Sequence, residues 1–166
     1  QGHMVAQYNM GVAYAHGEGV PKNISAALNW YNKAAEQGHA KAEYQLGLMH
    51  KRGDDVSQSD EAAVIWFTKS AAQDNASAQF NLGLMFDEGM GVIENSKTAA
   101  HWYTLATQQG YAEAQLRLAL MYEVGRGVPK NAPTALKLFA LAAEQGVALA
   151  QYNMAVAFET GEGAPK

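Results

Sequence analysis

Ala6-Gln7-Tyr8-Asn9-Met10-Gly11 is the first of five related hexads. It returns as Ala42-Glu43-Tyr44-Gln45-Leu46-Gly47, as Ala78-Gln79-Phe80-Asn81-Leu82-Gly83, as Ala114-Gln115-Leu116-Arg117-Leu118-Ala119 and as Ala150-Gln151-Tyr152-Asn153-Met154-Ala155, each copy 36 residues after the last. No insertion breaks the register. Other positions keep the same period. Trp30, Trp66 and Trp102 form one column, with Leu138 in fourth place, and Gly17, Gly53, Gly89, Gly125 and Gly161 form another. A fixed period of this length marks a repeat architecture in which each unit is one supersecondary element.

Within a unit, apolar residues fall at helical spacing twice. Ala6, Met10, Ala13 and Tyr14 mark a first helix; Ala26, Ala27, Trp30, Tyr31, Ala34 and Ala35 mark a second. Gly17 stops the first, since glycine accepts the left-handed conformation just past a helix end. Asn23 and its counterparts Ser59, Asn95 and Asn131 stand where a side-chain oxygen caps the second. Gly38, Asp74, Gly110 and Gly146 end it. The spacing predicts nine helices, near 4–15, 24–37, 40–51, 60–73, 76–87, 96–109, 112–123, 132–145 and 148–159, and no strands. One hairpin cannot bury both of its stripes, whereas stacked hairpins can. The expected fold is therefore all-α: a right-handed α/α superhelix, or solenoid, of 36-residue helix-turn-helix repeats, four full and one terminal half. The tryptophans, among alanines on the second-helix stripe, are expected in the core, with Trp66 between hairpins.

The composition narrows the function. The 166 residues are 48% hydrophobic and 17% charged, with net charge −4. That balance argues against a nucleic-acid interface, which needs clustered cations, and no nucleic-acid partner is expected. Without cysteine there is no disulfide framework, zinc finger or thiol nucleophile. No apolar run reaches the length of a membrane span, so no membrane insertion is expected. Gln1-Gly2-His3-Met4 reads as an expression-tag remnant, leaving 5–166 as a single repeat domain with units 5–39, 40–75, 76–111, 112–147 and a truncated 148–166. The sequence leaves the compartment open.

The motifs resemble the Sel-one-like repeat family, a relative of the tetratricopeptide repeats. The resemblance rests on Leu46-Gly47, Tyr122, Gly125-Arg126-Gly127-Val128-Pro129-Lys130-Asn131, and Trp30-Tyr31-Asn32-Lys33-Ala34-Ala35-Glu36-Gln37-Gly38. It extends over essentially all of 5–166. It implies a superhelix with a concave binding surface and an adaptor role toward peptides or proteins. Four departures stand out: Asp55 for the second loop glycine, His50 for an aromatic, Ala119 for glycine and Leu138 for tryptophan.

Sites of chemistry are not encoded in any recognisable pattern. The Gly-x-Gly loops, such as Gly17-Glu18-Gly19 and Gly89-Met90-Gly91, lack the third glycine and preceding strand of a dinucleotide site and read as helix terminators. His16, His39, His50 and His101 occupy four different repeat positions with no i, i+4 pairing, so no metal site is expected. Ser25, Ser57, Ser59, Ser70, Ser77 and Ser96 lie in no nucleophile motif. Asn23-Ile24-Ser25 and Asn75-Ala76-Ser77 are formal glycosylation sequons, but Asn23 is required as a cap and Asn75 sits in a tight turn. No catalytic residue and no cofactor are expected.

The positive signal is a face of the first helices. With the repeat alanine at zero and ~100° per residue, positions −1, +3, +6 and +10 cluster between ~240° and ~300°, away from the packing side. Position +3 is polar throughout: Asn9, Gln45, Asn81, Arg117 and Asn153. Position +6 is apolar throughout: Val12, Leu48, Leu84, Leu120 and Val156. Positions −1 and +10 vary, and include Lys41, Arg52 and Glu88. An apolar floor, a ladder of amides and variable walls suit an extended peptide, since amides both donate and accept and the walls select. In peptide-binding tetratricopeptide domains the matching positions contact ligand, and Asn81 and Arg117 resemble that pattern most. The same ladder also reads as structural, bonding adjacent first helices.

The expected function is a non-enzymatic adaptor or scaffold that holds a protein or extended peptide in the concave groove. The alternatives are a structural spacer or oligomerisation module without peptide ligand and, more remotely, an envelope- or peptidoglycan-related enzyme accessory. The last first helix, with Tyr152, Met154, Val156 and Phe158, is followed by Gly161-Glu162-Gly163-Ala164-Pro165-Lys166 rather than a second helix. Further repeats or a capping helix, and self-association through an uncapped end, are expected from that stripe.

Overall fold

The computed structural model describes residues 2–160. The expectations for Gly161 and the loop through Lys166 lie outside the described residues. Nine helices are present among those described: α1 (Met4–His16), α2 (Ile24–Ala35), α3 (Ala40–Arg52), α4 (Asp60–Ala71), α5 (Ala76–Glu88), α6 (Ser96–Gln108), α7 (Ala112–Val124), α8 (Ala132–Glu144) and α9 (Ala148–Thr160). No strand occurs among these residues. The architecture is the all-α helical-repeat solenoid class that the period implies.

Local chemistry sets the helix bounds. Asn23, Ser59, Asn95 and Asn131 each accept a hydrogen bond from the backbone N–H three residues on, as the cap positions require. Gly53 closes α3 at φ 80°, and its N–H donates to the Met49 carbonyl. α2 stops two residues short of the expected bound. Gln37 N–H bonds to the Ala34 carbonyl and Gly38 N–H to the Ala35 carbonyl, so the last turn tightens. Asn23 and Asn75 hold the backbone through their side chains, at 2.9 Å to Ala26 N and 3.2 Å to Ala78 N. Both formal sequons therefore begin at capping residues.

The chain divides into two compact units. One runs to Ala78 and takes in Met90–Val92; the other comprises Gln79–Gly89 and the chain from Ile93 onward. In the first unit α1 packs on α2, α2 on α3 and α3 on α4. Its core holds Ala27, Tyr31, Ala34, Ala42, Leu46 and Met49. In the second unit α6 packs on α7, α7 on α8 and α8 on α9. Its core holds Tyr103, Ala106, Ala114, Leu118, Met121, Phe139 and Ala142.

The tryptophans are not the centre of these cores. Trp30, Trp66 and Trp102 are half-buried. Lys33 Nζ lies 4.6 Å from the Trp30 ring centroid and Lys69 Nζ 4.3 Å from that of Trp66. The fully enclosed aromatic is the next residue: Tyr31, Phe67, Tyr103 and Phe139 are all buried. Tyr31, Phe67 and Tyr103 each sit against the glycine of their own first helix. A Cβ built on Gly47 would lie 2.6 Å from the Phe67 ring, and one on Gly83 2.7 Å from the Tyr103 ring. The 100° step between adjacent helical residues explains the shift. One residue of the aromatic pair points into its own hairpin, and the tryptophan points to the edge of the stripe.

Asp55, the departure from the loop glycine, is accommodated by a polar contact. At the equivalent Gly127 a Cβ would come within 2.2 Å of the Ser96 carbonyl oxygen, so that loop closes directly on backbone. Asp55 takes the left-handed conformation at φ 54°, and its Oδ2 accepts from Ser25 Oγ at 2.7 Å.

Candidate functional site

Regular amide pairing runs through position +1, two residues before the column the sequence singles out. In the first unit Gln37 Nε2 donates to Gln7 Oε1 at 2.6 Å and Gln73 Nε2 to Glu43 Oε2 at 2.7 Å. In the second, Gln109 donates to Gln79 at 2.8 Å and Gln145 to Gln115 at 2.9 Å. These bonds join the end of each second helix to position +1 of its own first helix. Glu43, Gln79 and Gln115 are buried, so the pairs satisfy groups that would otherwise be costly to enclose. The structural amide ladder thus lies two residues before the +3 ladder. Its signal was present in the sequence, where two glutamine columns share the 36-residue period.

The +3 and +6 positions come together in crevices. In the first unit a crevice of about 370 Å³ opens between α1, α2 and α3. Gln45, Leu48 and Arg52 line it, with Lys22 from the loop and Tyr31 from α2. Asn9 and Lys41 are exposed and stand apart from it. In the second unit a crevice of about 240 Å³ lies between α7, α8 and α9, lined by Asn153 and Val156 with Lys130 and Phe139. These residues occupy the same repeat columns as Gln45, Leu48, Lys22 and Tyr31. Asn153 Nδ2 is buried there without a hydrogen-bond partner among the described residues. Such a donor is costly to leave unmet.

The remaining expected residues belong to the second unit. Leu84 and Leu120 are half-buried against its core. Asn81 lies beside them on α5 and is half-buried. Arg117 reaches Glu88, with Nη2 4.0 Å from Oε1. Next to that pair is a stronger one that sequence reasoning missed. Arg126 places Nη1 and Nη2 each 2.9 Å from the Asp87 carboxylate, whose side chain is 3% exposed. The Tyr103 hydroxyl donates to the same carboxylate at 3.4 Å. Burial, and then the Asp87 charge, push the Tyr103 phenol above its ordinary range. Tyr31 is likewise pushed up, to about 12, chiefly by burial. Both therefore remain hydroxyl donors at neutral pH. Arg126 is hard to foresee, because its column otherwise holds Glu18, Asp54, Met90 and Glu162.

The serines near the site are engaged in local hydrogen bonds. Ser25 and Ser59 donate to carboxylates, and Ser70 donates to the Ala40 carbonyl at 2.7 Å. Among the described residues no group of three or more His, Asp or Glu could hold a metal ion, and no helix is long and apolar enough to cross a membrane.

Comparison with known proteins agrees with the repeat architecture. The Sel1 repeat model matches residues 5–39, 40–75, 76–111, 112–147 and 148–166. No curated protein matches the chain. Among solved structures, a Sel1 repeat protein from Oxalobacter formigenes is 37% identical with TM-score 0.92, over 98% of this chain and 67% of that one. A protective antigen of uropathogenic Escherichia coli strains, displaying an SLR fold, is 35% identical with TM-score 0.94, over 98% of this chain. The chain spans only 35% of that antigen's length. An immunity protein from Pseudomonas aeruginosa is 27% identical with TM-score 0.58, over 90% of this chain and 55% of that one. Sel1 repeat proteins are in general non-enzymatic scaffolds for protein interaction.

Proposed function

The chain belongs to the Sel1 repeat family, and on that premise we propose that it is a non-enzymatic scaffold whose first helices hold an extended segment of a partner protein. The supporting observation is the recurrence of one crevice in both units, each lined by a +3 amide and a +6 aliphatic residue: Gln45 with Leu48, and Asn153 with Val156. An aliphatic floor supplies contact area, and an amide facing it can pair with a peptide backbone in either sense. On this reading Asn81, Arg117 and Glu88 with Leu84 and Leu120 form the corresponding surface in the second unit, and Asn9 and Lys41 extend it beyond the crevice in the first. The segment contributes area along the aliphatic row, and the charged walls choose among sequences.

Selection from a random peptide library on the intact chain, followed by calorimetry, tests this. Selected peptides should lose about tenfold in affinity on Gln45→Ala or Asn153→Ala, the size of an ordinary interface contact. Selection that enriches nothing, or binding that ignores both changes, would count against the scaffold reading.

A second reading has its own observation. α9 exposes Leu149, Tyr152 and Phe158 at 49%, 65% and 78%. A face of this kind suits association with another copy of the chain. Light scattering of the chain and of Tyr152→Ser/Phe158→Ser separates the two: a self-associating module becomes monomeric in the variant, whereas peptide affinity stays unchanged.

A further inference from the structure

The third repeat contains a template for reading a carboxylate. Asp87 lies in the last turn of α5 with its carboxylate enclosed, held by Arg126 at 2.9 Å and by the Tyr103 hydroxyl at 3.4 Å. The chain supplies its own acid at this place. In the first repeat the corresponding position is Ala15, while the corresponding hydroxyl, Tyr31, is retained and buried. The short alanine leaves a crevice of about 370 Å³ where the third repeat has an internal ion pair.

The walls of that crevice suit an incoming anion. Lys22 and Arg52 both line it, and Gln45 stands in the Arg117 column with amide hydrogens to donate. One acid is present: Asp54 holds the Arg126 column, and its Oδ2 lies 3.8 Å from Arg52 Nη1. Asp54 is therefore balanced by Arg52, and Lys22 forms no ion pair with any described carboxylate. The fourth repeat lacks this combination. Phe139 there has no hydroxyl, and Glu123 puts the chain's own acid at the rim.

We propose that the crevice between α1, α2 and α3 is a subsite for an aspartate or glutamate side chain of an extended acidic peptide, seated between the Tyr31 hydroxyl, Lys22 and the Gln45 amide. The inference rests on the peptide-binding reading above and names the partner's chemistry at one position. Charge-assisted bonds from an ammonium and a buried hydroxyl are stronger than those available to a neutral amide. The subsite thus selects carboxylate over its isosteric amide.

The test is an NMR titration of the ¹⁵N-labelled chain with two capped octapeptides, one alternating glutamate with alanine and one alternating glutamine with alanine. The glutamate peptide should shift the amides of Ala15, Lys22, Tyr31, Gln45 and Arg52, with about fivefold higher affinity than the glutamine peptide. Lys22→Ala, an exposed loop change that leaves the core intact, should remove that preference. The double change Ala15→Asp/Asp54→Arg rebuilds the third-repeat ion pair inside the crevice and should abolish the response. Equal affinity for the two peptides, a preference that survives Lys22→Ala, or shifts centred elsewhere would overturn the proposal. Library-selected peptides that need Gln45 but show no acid preference would overturn the subsite alone. If no peptide binds at all, the scaffold reading falls with it.

Discussion

Gln73 Nε2 lies 2.7 Å from Glu43 Oε2, an amide-to-carboxylate bond where Gln7, Gln79 and Gln115 make amide-to-amide bonds. Glu43 is 4% exposed, and burial raises its pKa, although Lys69 and the Gln73 bond pull the other way. The folded chain thus favours the protonated acid. Above the raised folded value the ionised group costs stability, and that cost fades as pH falls toward the ordinary carboxylate range. Glu43→Gln should raise the melting temperature at pH 7, with a gain that shrinks as the pH is lowered through that range. Thermal melts of both chains across pH 4–7.5 check the sign; a variant less stable at neutral pH would show that Lys69 outweighs burial.

Phe67 and Trp66 offer a direct test of which aromatic carries the hairpin. Phe67 is fully buried against Gly47, whereas Trp66 is half-buried beneath Lys69. Phe67→Ala should cost ~3–5 kcal/mol through the cavity it leaves. Trp66→Ala should cost clearly less, since part of its surface already meets water. Urea unfolding of the two variants ranks them, and the reverse order would return the tryptophan to the core.

The difference between these two residues illustrates what the sequence makes legible. Period, helix count, caps and the left-handed stops at Gly17 and Gly53 all follow from local chemistry that repeats with the chain. Which member of the Trp66-Phe67 pair faces inward depends on the hairpin's rotation, which is set by how closely Gly47 lets the helices approach. The same limit applies to the site. The face holding Gln45, Leu48 and Arg52 was readable from ~100° steps. The crevice beneath it was not, because whether that space stays open, as beside Ala15, or is filled by an ion pair, as at Asp87 and Arg126, depends on contacts made between repeats. The glutamine pairs at +1 were visible as two columns, but nothing local shows that Gln37 reaches Gln7.

Arg126 should matter more than a surface arginine. Its loss would leave the Asp87 carboxylate buried with only the Tyr103 hydroxyl beside it. Arg126→Ala is expected to cost about 3 kcal/mol, because an uncompensated buried charge is worse than none. Asp87→Asn/Arg126→Ala should recover much of that loss. Denaturant titration of the wild type, both single variants (Asp87→Asn and Arg126→Ala) and the double variant measures the coupling; additive losses would mean the pair contributes no specific interaction.

His39 should give the fold a mild acid sensitivity. Its Nδ1 accepts from Ala42 N at 3.3 Å at the start of α3, which requires that nitrogen unprotonated, and its ring stacks on Tyr8 with centroids 4.7 Å apart. Burial, and then the Lys41 charge, lower its pKa. A lowered folded value means stability fully present above the ordinary histidine pKa of about 6.5, and lost as pH falls through the folded value. His39→Asn keeps the cap without titrating, as Asn75 does for α5. Its stability should match the wild type near pH 8 and exceed it near pH 5. Parallel pH profiles for the two chains would remove His39 as the titrating group.

The scaffold assignment is tested most directly by a crystal structure of the chain bound to a library-selected peptide. An extended segment is expected on the first helices, against Gln45 and Leu48 in the first unit or Asn81, Leu84, Arg117 and Leu120 in the second. A peptide seated instead on the outer faces of the second helices, on exposed residues such as Ile65 of α4 or Leu141 of α8, would contradict it.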